Sequence, residues 1–201
     1  MKHYLMVDLG TGNSRVALVD SDGGILGLRT YTNVYHRDSA YEDGQYFLPE
    51  DWAALLLQGC RELCREHPDI QVNAVSAAGA RQSFVLLDGN GRAFLGLPNI
   101  DNRGRAYMAQ VPEHDEIYRL SGKWATEDFG AAKLLGLRMQ HPEQYEAVES
   151  VLSLSEWIAW IFTGRKVMEY TQACESQLYD IGQRSWSQTL CSFYGLRPEF
   201  L

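Results

Sequence analysis

The order of apolar runs and turn signals along this chain predicts an α/β fold built on a mixed sheet. Three observations carry that expectation. Tyr4-Leu5-Met6-Val7 and Val16-Ala17-Leu18-Val19 are short apolar runs separated by the glycine-bearing polar turn Asp8–Ser14, which is a β-hairpin signal. From Pro49 onward, Trp52, Leu55, Leu56, Cys60, Leu63 and Cys64 recur at helical spacing. Val72–Ala78 then alternates small and apolar residues and reads as a buried strand; being reached through a helix, it should return parallel to a neighbour.

The elements follow in order. Asp22-Gly23-Gly24 turns the chain into a third strand, Ile25–Tyr31, completing an antiparallel meander. His36–Tyr46 is polar and loop-like. The helix from Pro49 carries Glu50 and Asp51 in its first turn, where they complement the dipole, and stops at His67-Pro68. Phe84–Leu87 and Ala93–Leu95 flank the turn Asp88-Gly89-Asn90-Gly91 and form a second antiparallel pair. The remainder is helix-rich: Asn102–Gln110, Asp115–Leu120 ended near Gly122, Phe129–Gln140, and Glu156–Phe162 closed by Thr163-Gly164 after a short strand at Val151–Leu154. The tail Trp186–Leu201 is weakly amphipathic, and no linker, low-complexity run, internal duplication or second core is visible.

At 201 residues, 45% hydrophobic and 22% charged, the chain has the composition of one globular domain with a full core. A formal net charge of −8 argues against a nucleic-acid or anionic-membrane surface, so any bound phosphate must be held by local donors and a cation. Met1-Lys2-His3 precedes too few apolar residues for a signal-peptide core or a membrane span, and the expected compartment is the cytoplasm. Cys60 and Cys64 lie one helical turn apart, which suits two buried thiols; with Cys174 and Cys191 they read as reduced and structural, and no histidine pair completes a zinc set.

A turn that only reverses the chain needs two to five residues and one glycine. The turn Asp8-Leu9-Gly10-Thr11-Gly12-Asn13-Ser14 has two glycines and a run of hydrogen-bonding side chains. Closely spaced glycines let backbone N–H groups converge on an anion, hydroxyls add donors, and a carboxylate at the strand end can hold a metal ion or its water. Phosphate binding and an ordinary polar hairpin are both open on spacing alone. A Rossmann turn and a P-loop are not, because an apolar strand follows and the P-loop lysine is missing. Further along, Arg81 and Gln82 follow the returning strand, at the carboxyl end where open α/β sheets bind ligands. Asn99 and Asp101 offer an amide and a carboxylate for adjacent hydroxyls, and Arg81 adds a bidentate donor. Their alternative is a pair of surface turns. Trp52, Trp157 and Trp160 lie at helix-core spacing and read as packing.

Asp8–Arg15 with the strand and Asp20-Ser21-Asp22-Gly23-Gly24 after it resembles the first phosphate loop of the FGGY carbohydrate kinases. Gly79–Asp88, Pro98–Arg103, Asp128–Leu135 and Ser155–Gly164 with Tyr170–Trp186 resemble later segments of the same family, in the same order and across nearly the whole chain. The resemblance implies a ribonuclease-H-like (actin-like ATPase) fold with about five strands in a mixed sheet, helices on both faces, and Asp8, Arg81 and Asp101 clustered at one edge. It also implies ATP and Mg²⁺ as cofactors and a sugar or polyol as substrate. The phosphate and Mg²⁺ would meet Asp8, Gly10, Thr11, Gly12, Asn13, Ser14 and Arg15, with Asp8 the metal ligand and Arg15 either neutralising charge or projecting into solvent. The substrate would meet Arg81, Gln82, Asn99 and Asp101, with Asp128 and Phe129 as weaker candidates.

The departures bear on substrate. Glycerol kinases carry arginine-glutamate, and xylulose kinases methionine-histidine, where this chain has Arg81-Gln82. Arg81 with Asn99-Ile100-Asp101 is most similar to the autoinducer kinases, which phosphorylate a small branched polyol. The family's catalytic aspartate and its nucleotide-binding domain are expected beyond Leu201, leaving this chain a truncated substrate-binding half that is inactive alone. Its excised interface would expose apolar surface and favour a homo-oligomer. The alternative is a non-catalytic actin-like binding or regulatory module.

Overall fold

The computed structural model describes residues 1–200; Leu201, where the pattern was expected to break off, lies outside them. Strands β1 (His3–Leu9), β2 (Asn13–Asp20) and β3 (Ile25–Thr32) form the expected antiparallel meander. His36–Tyr46 is not a plain loop but a small hairpin, β4 (His36–Asp38) with β5 (Gly44–Tyr46). Helix α1 (Pro49–Glu66) begins on proline, whose missing N–H would be unpaired there in any case. The crossover through it delivers β6 (Val72–Gly79) parallel to β1, in the sheet order β3-β2-β1-β6.

That sheet has four strands, close to the number expected, and among the described residues helices cover one of its faces. The reason lies in the alternation along β1: Leu5, Val7 and Leu9 point into the core, whereas Met6 and Asp8 are exposed. On the covered face, α1 inserts Trp52, Leu56, Cys60 and Leu63. The uncovered face carries Met6, Ala17 and Leu28 in one cross-strand row and Asp8, Arg15 and Thr30 in the next. Strand β6 is therefore an edge with Asn73, Ala74, Ser76 and Ala78 exposed, not the buried strand its small residues suggest.

A second sheet, β8-β7-β9, is antiparallel: β7 (Phe84–Leu87) lies between β8 (Ala93–Leu97) and β9 (Ser150–Ser153). All four residues of β7 are buried, but on opposite sides. Val85 and Leu87 join the cluster beneath the first sheet, with Leu5, Val7, Trp52 and Trp157. Phe84 and Leu86 join a second cluster with Leu95, Leu97, Ile117, Leu134, Leu137 and Tyr194. The chain thus holds two apolar clusters on either side of one strand, where a single core was expected. Gly96 of β8 lets the Phe47 ring lie against the backbone; a Cβ there would overlap the ring.

The later elements pack around this frame. A short 3₁₀ helix (Arg105–Gln110) replaces the helix expected from Asn102, followed by α2 (His114–Ser121), α3 (Gly130–Gln140) and a short, unforeseen α4 (Pro142–Glu146). Helix α5 (Leu154–Thr163) covers β6 and buries Trp157 and Ile158. Next come α6 (Tyr170–Cys174), the two-residue strands β10 (Tyr179–Asp180) and β11 (Ser185–Trp186), and α7 (Gln188–Phe193) in the tail. All four cysteines are free; Cys60 and Cys191 are buried, but Cys64 is exposed because the buried stripe of α1 runs through Trp52, Leu56, Cys60 and Leu63. Among the described residues no helix is long and apolar enough to cross a membrane.

Candidate functional site

The hairpin turn between β1 and β2 contracts to Gly10-Thr11-Gly12, because Asn13 and Ser14 already pair as the start of β2. Gly10 donates its N–H to the Asn13 carbonyl at 3.0 Å. A Cβ on Gly10 would come within 3.1 Å of that same oxygen, whereas Gly12 faces open space. The three carbonyls of the turn are all hydrogen-bonded. Gly10 O accepts from Asn33 Nδ2 at 2.7 Å, Thr11 O from the Tyr35 hydroxyl at 2.6 Å, and Gly12 O from the Asn33 N–H at 3.1 Å. The N–H groups of Thr11 and Gly12 donate to nothing among the described residues. The turn therefore presents two unpaired backbone donors beside an open glycine, an arrangement suited to an anion.

Asp8, one residue before the end of β1, lies directly across from Arg15, and Arg15 Nη1 lies 3.2 Å from Asp8 Oδ2. Both side chains are about half exposed, at 51% and 46%, so the pair contributes little to stability and leaves the carboxylate accessible. Ser14, by contrast, is buried, and its hydroxyl donates to Asn33 Oδ1 at 2.6 Å; it supports the turn from behind rather than lining it.

The segments around Arg81 and Asn99 meet the turn. Asn99 Nδ2 donates to Thr11 Oγ1 at 3.0 Å, and the Asn99 N–H donates to Ser83 Oγ at 2.9 Å. Ser83 stands two residues after Arg81, just past the end of β6, so β1 and β6 bring Asp8 and Arg81 to the same carboxyl edge of the parallel pair. Arg81 is exposed and its guanidinium has no hydrogen-bond partner among the described residues. Gln82 adopts φ 60°, the left-handed region, which turns the chain between β6 and β7.

Asp101 requires correction. It was expected to grip substrate hydroxyls, but the residue is fully buried and both carboxylate oxygens are taken: Oδ2 accepts from Arg103 Nε at 2.7 Å and Oδ1 from the Gln45 N–H at 2.9 Å. Arg103 is itself 2% exposed, covered by the Tyr41 ring, with Nη2 donating to Gln45 O at 3.1 Å and Nη1 3.8 Å from Asp38. Lys133, also fully buried, donates to the Asp101 carbonyl. Burial pushes the Asp101 carboxyl up despite Arg103, and pushes the Lys133 ammonium down to about 8 despite Asp101. This network braces the loop that carries Asn99; in this structure it offers the substrate nothing directly. The remaining candidates share no hydrogen bond with the turn among the described residues. Asp128 is exposed and accepts from Thr126 Oγ1 at 3.0 Å, and Phe129, at the N-cap of α3, lies under Lys123 Nζ at 5.1 Å.

Asn33, Tyr35 and Ser83 were not anticipated. The first two follow β3 in a stretch with no motif, and only a hairpin register linking Asn13 to Thr32 could have placed them behind the turn. Ser83 lay within the Gly79–Asp88 segment, but its hydroxyl could not be aimed without the fold.

Among known proteins, the family model described as "FGGY family of carbohydrate kinases, N-terminal domain" matches residues 3–201. A Bacillus subtilis (strain 168) protein named as a sugar kinase, YoaC, is 39% identical over the whole chain, which spans 41% of that relative's length. The autoinducer-2 kinase of Salmonella choleraesuis (strain SC-B67) is 29% identical over 99% of the chain and 39% of its own length. The crystal structure of Plasmodium falciparum glycerol kinase with ADP superimposes with a TM-score of 0.85 at 16% identity, covering 97% of this chain and 41% of that one, a likeness of fold. With its sheet order, its glycine turn and a family match that runs from His3 to the last residue, this chain belongs to the FGGY family of carbohydrate kinases, as an N-terminal domain.

Proposed function

We propose that the protein containing this chain transfers the γ-phosphoryl group of ATP to a hydroxyl of a small sugar or polyol, and that this domain selects the acceptor. One observation carries the reading: Thr11, in the turn with unpaired N–H donors, shares a hydrogen bond with Asn99, in the acceptor loop, so the two halves of a phosphoryl transfer are held side by side. The N–H groups of Thr11 and Gly12 would hold phosphate oxygens, and Arg15 would offset their charge. Asp8 would hold Mg²⁺ or its water, a role that fits a half-exposed carboxylate at a strand end, since Mg²⁺ takes one or two carboxylates and completes its shell with phosphate oxygens and water. When bound, that cation neutralises charge developing on the transferred group.

On the acceptor side, Arg81, Gln82 and Asn99 would bind hydroxyls, with Asp128 and Phe129 at the outer end of the loop preceding α3. The general base and the adenosine-binding domain would come from the part of the relatives that this chain does not span, 59% of the YoaC length by difference from the 41% covered. The kinship with an autoinducer-2 kinase makes a small branched polyol the first acceptor to test. We assign the protein to the cytoplasm, where ATP is supplied. Domain 1–201 alone would self-associate through the open sheet face bearing Met6, Leu28 and Ile25, which sedimentation at rising concentration tests.

The decisive assay follows ADP release by the product of the whole open reading frame over a panel of pentoses, pentuloses, glycerol and branched polyols. One acceptor should raise turnover well above the water-driven rate. Sugar binding without ADP release from any acceptor would instead favour the non-catalytic module, and neither binding nor turnover would end the kinase reading.

A further inference from the structure

We infer that Asn33 and Tyr35, in the segment leaving β3, are positioning residues that set the peptide planes of Gly10-Thr11-Gly12 for an anion, an assignment that rests on the kinase reading above. Three consecutive carbonyls are tied to this one segment: Gly10 O to Asn33 Nδ2, Thr11 O to the Tyr35 hydroxyl, and Gly12 O to the Asn33 backbone. Asn33 Nδ2 also reaches Thr11 O at 3.3 Å. A trans peptide unit is planar, with its C=O and the following N–H pointing in opposite directions. Drawing Gly10 O and Thr11 O toward Asn33 and Tyr35 therefore turns the N–H groups of Thr11 and Gly12 the other way, and those are the two left without partners among the described residues.

The clamp is itself held. The Ser14 hydroxyl donates to Asn33 Oδ1 at 2.6 Å, which fixes the end of the amide that carries the donors. The Tyr35 ring stands edge-on to Trp52 with centroids 5.6 Å apart, and Trp52 stacks on Phe47 at 4.0 Å. Trp52 Nε1 donates to the Val34 carbonyl at 3.4 Å. Burial pushes the Tyr35 hydroxyl above its ordinary range, so it remains a donor at any pH at which the fold is studied. The turn is too short to hold a converging geometry by itself, and the α1 core reaches it through these two side chains.

The test uses the product of the whole open reading frame. Tyr35→Phe deletes one O–H and keeps the ring on Trp52; Asn33→Asp keeps the acceptor for Ser14 and loses the donor to Gly10 and Thr11. Tyr31→Phe is the control, because the Tyr31 hydroxyl has no hydrogen-bond partner among the described residues. Tyr35→Phe should lower kcat and raise the KM for ATP by a combined factor of roughly five to ten, with the acceptor KM within about twofold, as expected when a neutral hydrogen bond acts through another group. Pyrophosphate titration should shift the Thr11 and Gly12 amide resonances of the wild type, with weaker affinity in Tyr35→Phe and unchanged affinity in Tyr31→Phe. Equal behaviour of Tyr35→Phe and Tyr31→Phe in both measurements overturns the assignment. If no acceptor is turned over but pyrophosphate still shifts the two amides through Tyr35, the kinase reading fails and the clamp stands; no shift in the wild type sinks both. Should Asn33→Asp fail to fold, Tyr35→Phe carries the test alone.

Discussion

Asp101→Ala should destabilise the domain severely rather than tune its substrate affinity. The carboxylate accepts two hydrogen bonds, from Arg103 Nε at 2.7 Å and from the Gln45 N–H at 2.9 Å, in a place with no exposure. Each bond to a charged group contributes about 1.5–3 kcal/mol, and the deletion strands the guanidinium of Arg103, whose Nη1 already lacks a hydrogen bond among the described residues. Breaking a buried ion pair from one side costs about 3–5 kcal/mol, in agreement with the sum of the two bonds. For a domain of this size 1 kcal/mol moves the melting temperature by roughly 2–4 °C, so the expected fall is about 6–20 °C. Urea unfolding followed by far-UV circular dichroism, with calorimetry alongside, measures it directly. Asp101→Asn, which keeps the shape and loses the charge, should fall between wild type and alanine. A variant whose stability lies within 1 kcal/mol of wild type, together with a large rise in acceptor KM, would show that Asp101 is a substrate ligand and that its burial in Arg103 and Gln45 is a resting arrangement.

Arg81→Ala should do the reverse: its guanidinium is exposed and unpartnered among the described residues, so melting should stay within about 2 °C while the acceptor KM of the complete gene product rises at least about tenfold. An unchanged KM would remove Arg81 from the acceptor site. Gly96→Ala pushes a methyl group into the Phe47 ring and should cost about 1–3 kcal/mol, read by the same unfolding curves. Stability should also rise with pH above about 8. Lys133 titrates near 8 in the fold and at 10.5 ordinarily, so in that interval the unfolded chain holds the extra proton, and each pH unit can add up to about 1.4 kcal/mol. The gain should end near pH 9, where unfolded thiols ionise while the buried Cys60 and Cys191, pushed up to about 11, keep their protons. Lys133→Met should abolish the rise; a variant that retains it would assign the effect elsewhere.

Local signals proved the most legible. The hairpin, the helix on Pro49 and the parallel return of Val72–Gly79 all rest on patterns internal to short segments, and the structure contains each of them. What could not be read was which side of an element meets something. The small residues of β6 suit a buried strand and an edge equally well, and its neighbours decide between them. The same limit governed the site. Thr11 and Asn99 could be singled out by type, and 88 residues separate them in sequence, yet they share a hydrogen bond. Asp101 could be singled out too, but whether a carboxylate points toward a ligand or into a bed of Arg103, Gln45 and Lys133 is settled by a loop-to-loop contact that leaves no periodic trace.

Strand β7, with apolar clusters packed on both of its sides, has a dynamic consequence. Its amides can exchange with solvent only when both clusters open together, so they should be among the slowest in the domain, near the limit set by global unfolding. Ser83 is the residue before that strand, and Ser83 Oγ receives the Asn99 N–H. The loop carrying Asn99 is thereby anchored to the part of the molecule that should fluctuate least, while the glycine turn it touches hangs on two side chains that follow the meander. Motion at this site should accordingly be one-sided: the glycine turn breathes against a stationary Asn99 loop.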